Sequence, residues 1–151
     1  MINKIKITLF TCLLLLCSCS KQSSKVEYLQ SDENEQNNYP FSEAVKVGDI
    51  IYLSGQIGTS SENDGGLVSG GIREETRQTM LNIKNTLEKY DSKMEDIIKC
   101  TCMLVDIKEW AAMSEEYIKF FPNHKPARSA FAGTGLALGA RVEIECIAKI
   151  D

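Results

Sequence analysis

The sequence predicts an α+β fold, one mixed β-sheet with two helices on one of its faces. Three patterns predict it. Residues 97–105 and 141–150 place apolar side chains at alternate positions, as strands buried on one face do. Two other segments, opening at Ile72 and Trp110, space their apolar residues by three and four, the stripe of an amphipathic helix. Gly48-Asp49 lies between two short apolar runs, which is a hairpin signal.

Taken in order, residues 1–18 form a basic start (Lys4, Lys6) followed by an apolar run too short to span a bilayer, the pattern of an export signal. Leu16-Cys17-Ser18-Cys19 is similar to a bacterial lipobox, so Cys19 is the expected lipidation site and residues 19–24 a lipidated tether. The mature chain is then lipid-anchored at the cell envelope. Ser20 rather than Asp after that cysteine favours the outer membrane, on its periplasmic or surface face, by analogy with double-membrane bacteria. Residues 25–151 are the single domain that 151 residues allow.

Within that domain residues 25–29 read as a short edge strand and 32–38 as a polar loop. Residues 42–48 and 50–54 are the arms of the hairpin, and the segment bracketed by Gly65-Gly66 and Gly70-Gly71 is a further strand or loop. Ile72, Thr76, Met80, Ile83, Leu87 and Tyr90 then stripe a long helix. In the strand over 97–105, Ile98, Cys100, Cys102 and Leu104 are expected on one face. Asp106 suits a helix start. Trp110, Met113, Tyr117 and Phe121 stripe the second helix as core residues, and Pro122 stops it. Residues 128–132 and 141–150 complete the sheet, with Val142, Ile144, Cys146, Ala148 and Ile150 facing the helices and Glu143 and Glu145 facing away. Two glutamates on that face point to an aqueous cavity or a subunit interface.

The charge is −4, and loss of Lys4 and Lys6 with the signal makes it −6, which argues against nucleic acid as a partner. Of six cysteines, only Cys100, Cys102 and Cys146 belong to the domain. They read first as small core residues. Zinc ligation, or a disulfide involving Cys146 in an oxidising compartment, are the alternatives. His124 reads as a solvated loop residue. Arg128 opens a strand just after Pro126, and a guanidinium suits a carboxylate. With Glu143 as a base and Ser54-Gly55 as backbone contacts it offers a site. An inter-subunit salt bridge explains Arg128 and Glu143 equally well.

Six segments carry a resemblance. They are residues 44–49, Leu53-Ser54-Gly55-Gln56-Ile57, Glu75-x-x-Gln78-x-x-x-Asn82-Ile83, Tyr117-x-x-Phe120-Phe121-Pro122, Pro126-Ala127-Arg128-Ser129 and Val142-Glu143-Ile144-Glu145-x-Ile147-Ala148. In order and spacing the chain resembles the Rid (RidA/YjgF) family from about Lys25 to Asp151. The resemblance implies a chorismate-mutase-like, YjgF-type fold and a homotrimer with a central barrel and clefts between subunits. It implies hydrolytic deamination of 2-imino or enamine acids, such as 2-aminoacrylate, to 2-oxo acids and ammonia, as by a 2-iminobutanoate/2-iminopropanoate deaminase, without metal or organic cofactor. Arg128 would grip the substrate carboxylate and Glu143 would activate water. Gly55 and Ala130 would give backbone contacts, with Ser54 beside them.

The chain departs from the family pattern at three places. Phe41 stands where a tyrosine is common and lacks its hydroxyl, Ser114 replaces a common asparagine, and residues 130–142 lack a Leu-Pro turn. Phe41 and the Gly133/Gly135 segment are expected to reshape the cleft while the carboxylate clamp is retained. The family's usual substrates arise in the cytoplasm, which an exported copy would not meet, so a non-catalytic trimeric binding module for small carboxylates at the envelope is the competing reading. A ribonuclease fits neither the export signal nor the acidity.

Overall fold

The computed structural model describes residues 25–150. The export signal, Cys19 and the tether lie outside the described residues. The elements are β1 (Val26–Leu29), α1 (Asp32–Gln36), β2 (Ala44–Val47), β3 (Ile50–Leu53), β4 (Gln56–Ile57), α2 (Ile72–Lys89), β5 (Ile97–Leu104), α3 (Trp110–Tyr117), β6 (Ala127–Ala132) and β7 (Val142–Lys149). The strands make one seven-stranded sheet in the order β1-β2-β3-β7-β5-β6, with β4 also paired to β7. Only β5 and β6 run parallel, as expected for two strands joined by a helix. The mixed α+β architecture is the one the sequence predicts.

The local chemistry explains the elements. Val47 pairs with Ile50 across Gly48-Asp49, and Gly48 takes a φ of 61°, which a residue without a β-carbon adopts at no steric cost. Glu74 and Glu75 occupy the first turn of α2 and Lys89 its last, each charge complementing the helix dipole. The stripe Thr76, Met80, Ile83 and Leu87 is fully buried. It packs with Met113, Tyr117 and Phe121 on the rows Leu104, Val142, Ile144 and Ala148 of the sheet. Burying each large apolar side chain there contributes about 1.5–3 kcal/mol.

Four expectations are corrected. Residues 32–36 form α1, not a loop; the Ser31 hydroxyl accepts from the Asn34 N–H at 3.2 Å, and five residues without an apolar stripe leave no helical period to read. Ile98 is exposed, because a bulge between the pairs Ile97–Ala148 and Lys99–Ile147 inserts it and gives its inward place to Ile97. Cys100 and Cys146 are not free core thiols: they are directly opposed on β5 and β7, Cα atoms 4.2 Å apart, and joined as a disulfide. Cys102 alone of the three is a buried free thiol. His124 is partly buried and sets its ring edge-on against Phe121, centroids 5.3 Å apart, rather than lying in solvent.

Candidate functional site

β7 determines where the site residues can point. Its buried row faces the helices, and Glu143 and Glu145 lie on the opposite, open face of the sheet, as the alternation required. Between the pairs Tyr52–Ile147 and Gln56–Ile144, residues 53–55 oppose residues 145–146, so the strand bulges at Ser54-Gly55. Ser54 leaves the ladder and ties back instead, its N–H donating to the Glu43 carbonyl at 3.0 Å and its hydroxyl to the Ser42 carbonyl at 2.7 Å. Gly55 is thereby laid against the Glu143 side chain, where a β-carbon would overlap the carboxylate.

Phe41 belongs to the same end of the molecule. It precedes Ser42, its carbonyl accepts from the side chains of Gln30 and Asn34, and its half-exposed ring stacks on Tyr39 at 5.4 Å. Glu43 anchors this segment by accepting from Ser31 at 2.7 Å, from Lys89 at 2.9 Å and from the Tyr90 hydroxyl. Burial raises the Glu43 pKa, but the hydrogen bonds from Tyr90, Ser31 and Lys89 outweigh it and hold the carboxyl below its ordinary range. No donor to Glu143 is found among the described residues. Its carboxyl is pushed above the ordinary range by burial and then by Glu145.

Arg128 sits elsewhere. On edge strand β6 it pairs in register with Cys100 and so faces the helices, not the open face. Its guanidinium carbon lies 5.3 Å from the Trp110 ring and 5.0 Å from the Tyr117 ring. Among the described residues no carboxylate pairs with it. It opens into a cleft of about 520 Å³ whose walls include Trp110, Ser114, Tyr117, Ile118, Lys125 and Pro126. Ala130, two residues on, faces the same way and packs on the core. Nearby, burial pushes the Cys102 thiol up to about 11 despite Arg128 and Lys99, so it is no thiolate nucleophile at neutral pH.

The residues picked from the sequence therefore fall into two groups. Gly55 meets Glu143 beside β7, with Ser54 next to it and Phe41 one residue before the Ser42 that Ser54 bonds; Arg128 and Ala130 lie beyond β5 and face the helices. One chain does not bring Arg128 and Glu143 into a shared cleft. The open face itself is rich in exposed apolar groups, including Tyr28, Tyr52 and Phe131, and β6 leaves one edge of its ladder without a partner strand.

Trp110 is what the sequence reading missed. Expected in the core, it is 44% exposed and forms a wall of the cleft. Its stripe partners Met113 and Tyr117 follow at three and seven residues and are buried, whereas the 3₁₀ turn Ile107–Glu109 carries Trp110 in at the helix end, off the sheet. The signal available was the Lys125-Pro126-x-Arg128 run, which puts two cations beside one cleft.

Comparison with known proteins adds four findings. The profile of the endoribonuclease L-PSP family matches residues 33–150. The human 2-iminobutanoate/2-iminopropanoate deaminase is 38% identical over 109 residues, 72% of this chain and 79% of the human protein. The chloroplastic Reactive Intermediate Deaminase A of Arabidopsis thaliana is 33% identical over 133 residues, 88% of this chain and 71% of the plant protein. Among solved structures, RidA from an Antarctic Psychrobacter species superposes with a TM-score of 0.70 at 29% identity, covering 86% of this chain and 100% of that one.

Proposed function

The chain belongs to the endoribonuclease L-PSP family, which is the Rid family, and from that premise we propose that it hydrolyses reactive 2-imino acids to 2-oxo acids and ammonia. Relatives of this family named as deaminases support the reaction class. The observation that carries the reading is Arg128, which opens into a largely apolar cleft with no carboxylate partner among the described residues. A guanidinium so placed is free to take the carboxylate of a ligand in a two-pronged hydrogen bond.

In this reading Arg128 holds the substrate carboxylate and so fixes the C=N carbon. Glu143 takes a proton from water as the water oxygen bonds to that carbon and the C=N π pair moves to nitrogen. That proton passes to nitrogen and gives a carbinolamine; Glu143 then takes the hydroxyl proton and passes it to nitrogen too, and ammonia leaves with the C–N bond pair as the C=O bond of the 2-oxo acid forms. A carboxyl raised by burial is the stronger base for the first step. The imine carbon is already electrophilic, and residues of this chain supply every step.

Arg128 and Glu143 lie on opposite faces of one sheet, so the cleft is completed by Glu143 of a neighbouring copy. The exposed apolar groups of the open face and the unpaired edge of β6 support a homotrimer in which sheets from three copies cover one another. Export as a lipoprotein acylated at Cys19 rests on the basic start, the apolar run and the lipobox; Cys19→Ser should release the protein from membranes.

The test is direct. Freshly generated imines of alanine, leucine or methionine are incubated with the protein, and 2-oxo acid and ammonia are measured. Release faster than buffer and lost in Arg128→Ala supports the enzyme. Phe41, which lacks a hydroxyl, favours the second reading, a carboxylate-binding module. Tight 2-oxo acid binding at the buffer rate of hydrolysis would select that reading instead.

A further inference from the structure

Trp110 is the single tryptophan of the chain, and its position is poor as packing. It is 44% exposed at the first residue of α3, while Met113 and Tyr117 of the same helix are buried. The Tyr117 ring, fixed in the core, stands 5.0 Å from the Arg128 guanidinium carbon, and the Trp110 ring stands 5.3 Å from it. Arg128 thus has two aromatic neighbours and no acid partner among the described residues. A long side chain on an edge strand otherwise samples many rotamers, and a guanidinium against ring faces keeps its in-plane N–H donors free.

We infer that Trp110 is the positioning residue of Arg128: its ring holds the guanidinium so that the carboxylate-binding donors face the cleft. The inference rests on the deaminase reading only for the role of Arg128 as the carboxylate grip. Trp110 acts through Arg128 and takes no part in proton transfer. It also forms the apolar wall of the cleft together with Ala111, Ile118 and Pro126. An indole binds a cation more strongly than the other aromatic rings do, and a leucine, though smaller, keeps an apolar side chain with no π face.

The test compares the full chain, purified in detergent, with Trp110→Phe and Trp110→Leu. Calorimetry measures binding of 2-oxobutanoate, the stable product, and kinetics use 2-iminobutanoate. Trp110→Leu should weaken binding and raise KM by roughly two- to tenfold, with kcat held. Trp110→Phe should recover most of that loss, and both variants should melt as the wild type does. Wild-type affinity in Trp110→Leu, with Arg128→Ala defective, overturns the inference. So does an equal loss in both variants accompanied by a lower melting temperature, which marks a packing role. If the wild type binds 2-oxobutanoate without turnover, the deaminase reading fails and the Trp110 comparison still stands on affinity. A wild type that neither binds nor turns over overturns both.

Discussion

Gly55 and Glu143 are packed so closely that no larger residue fits between them: a β-carbon at position 55 would overlap Oε1 of Glu143 and lie 2.9 Å from its carboxyl carbon. The φ of Gly55 is not in the left-handed region, so the glycine is required by this approach and not by its own backbone. The close approach follows from the bulge at Ser54-Gly55, which swings the chain toward Glu143, the register partner of Ile57 on β7.

Gly55→Ala should therefore displace the Glu143 carboxylate while leaving the fold intact. A loss of about a hundredfold in kcat is expected from a displacement of this kind, with a melting temperature close to wild type. Undiminished turnover of 2-iminobutanoate by Gly55→Ala would show that the carboxylate position is irrelevant to the chemistry.

The division of Arg128 and Glu143 between two faces predicts complementation. Arg128→Ala and Glu143→Gln should each be nearly inactive alone, the second by about 10²–10⁴-fold if the carboxylate is the base. Unfolded together in equal amounts and refolded, they should, in the proposed trimer, regain activity at about a quarter of all sites, those pairing an intact Arg128 with an intact Glu143 from another copy. Mixed trimers as inactive as the parents would place the whole site in one chain.

Glu143 also makes a pH-dependent contribution to stability. Burial and then Glu145 raise its carboxyl above the ordinary 4.5. The folded chain binds this proton more tightly than the unfolded chain does. Its stabilising effect is therefore full below the unfolded value and lost as the pH rises through the folded one. Glu143→Gln should melt above the wild type near neutral pH, and the gap should close as the pH falls below 4.5. A gap independent of pH between these limits would contradict the raised carboxyl.

The Cys100–Cys146 disulfide closes a loop of 46 residues. In the chain-entropy account such a link stabilises the fold by about 4 kcal/mol, with measured cases typically about 2–4 kcal/mol. Cys100→Ala should lower the stability by that order in urea unfolding, and thiol titration of the unfolded wild-type domain should find Cys102 without Cys100 or Cys146. Three titratable domain thiols under non-reducing conditions would refute the link.

Much of the fold was legible because the periods are local. The alternation in residues 142–149 fixed which side chains face the helices, including the outward turn of Glu143, and the stripe from Thr76 to Leu87 gave α2. Ile98 escaped because a bulge shifts the alternation by one residue, and a bulge is visible only against its partner strand. Trp110 escaped because the same spacing serves a buried stripe and a residue at the helix end, and only packing separates them.

The sequence by itself determined the α+β class and the family and pointed to the candidate site residues, Arg128, Glu143 and Gly55 among them, since these rest on neighbours along the chain. Tertiary structure alone decided how those residues meet. Register between distant strands turns Arg128 toward the helices, opposes Cys100 to Cys146 and seats Gly55 on Glu143. Strand pairing is a contact between segments far apart in the chain, and shifting it by one residue reverses the face of every side chain. No local pattern records that choice.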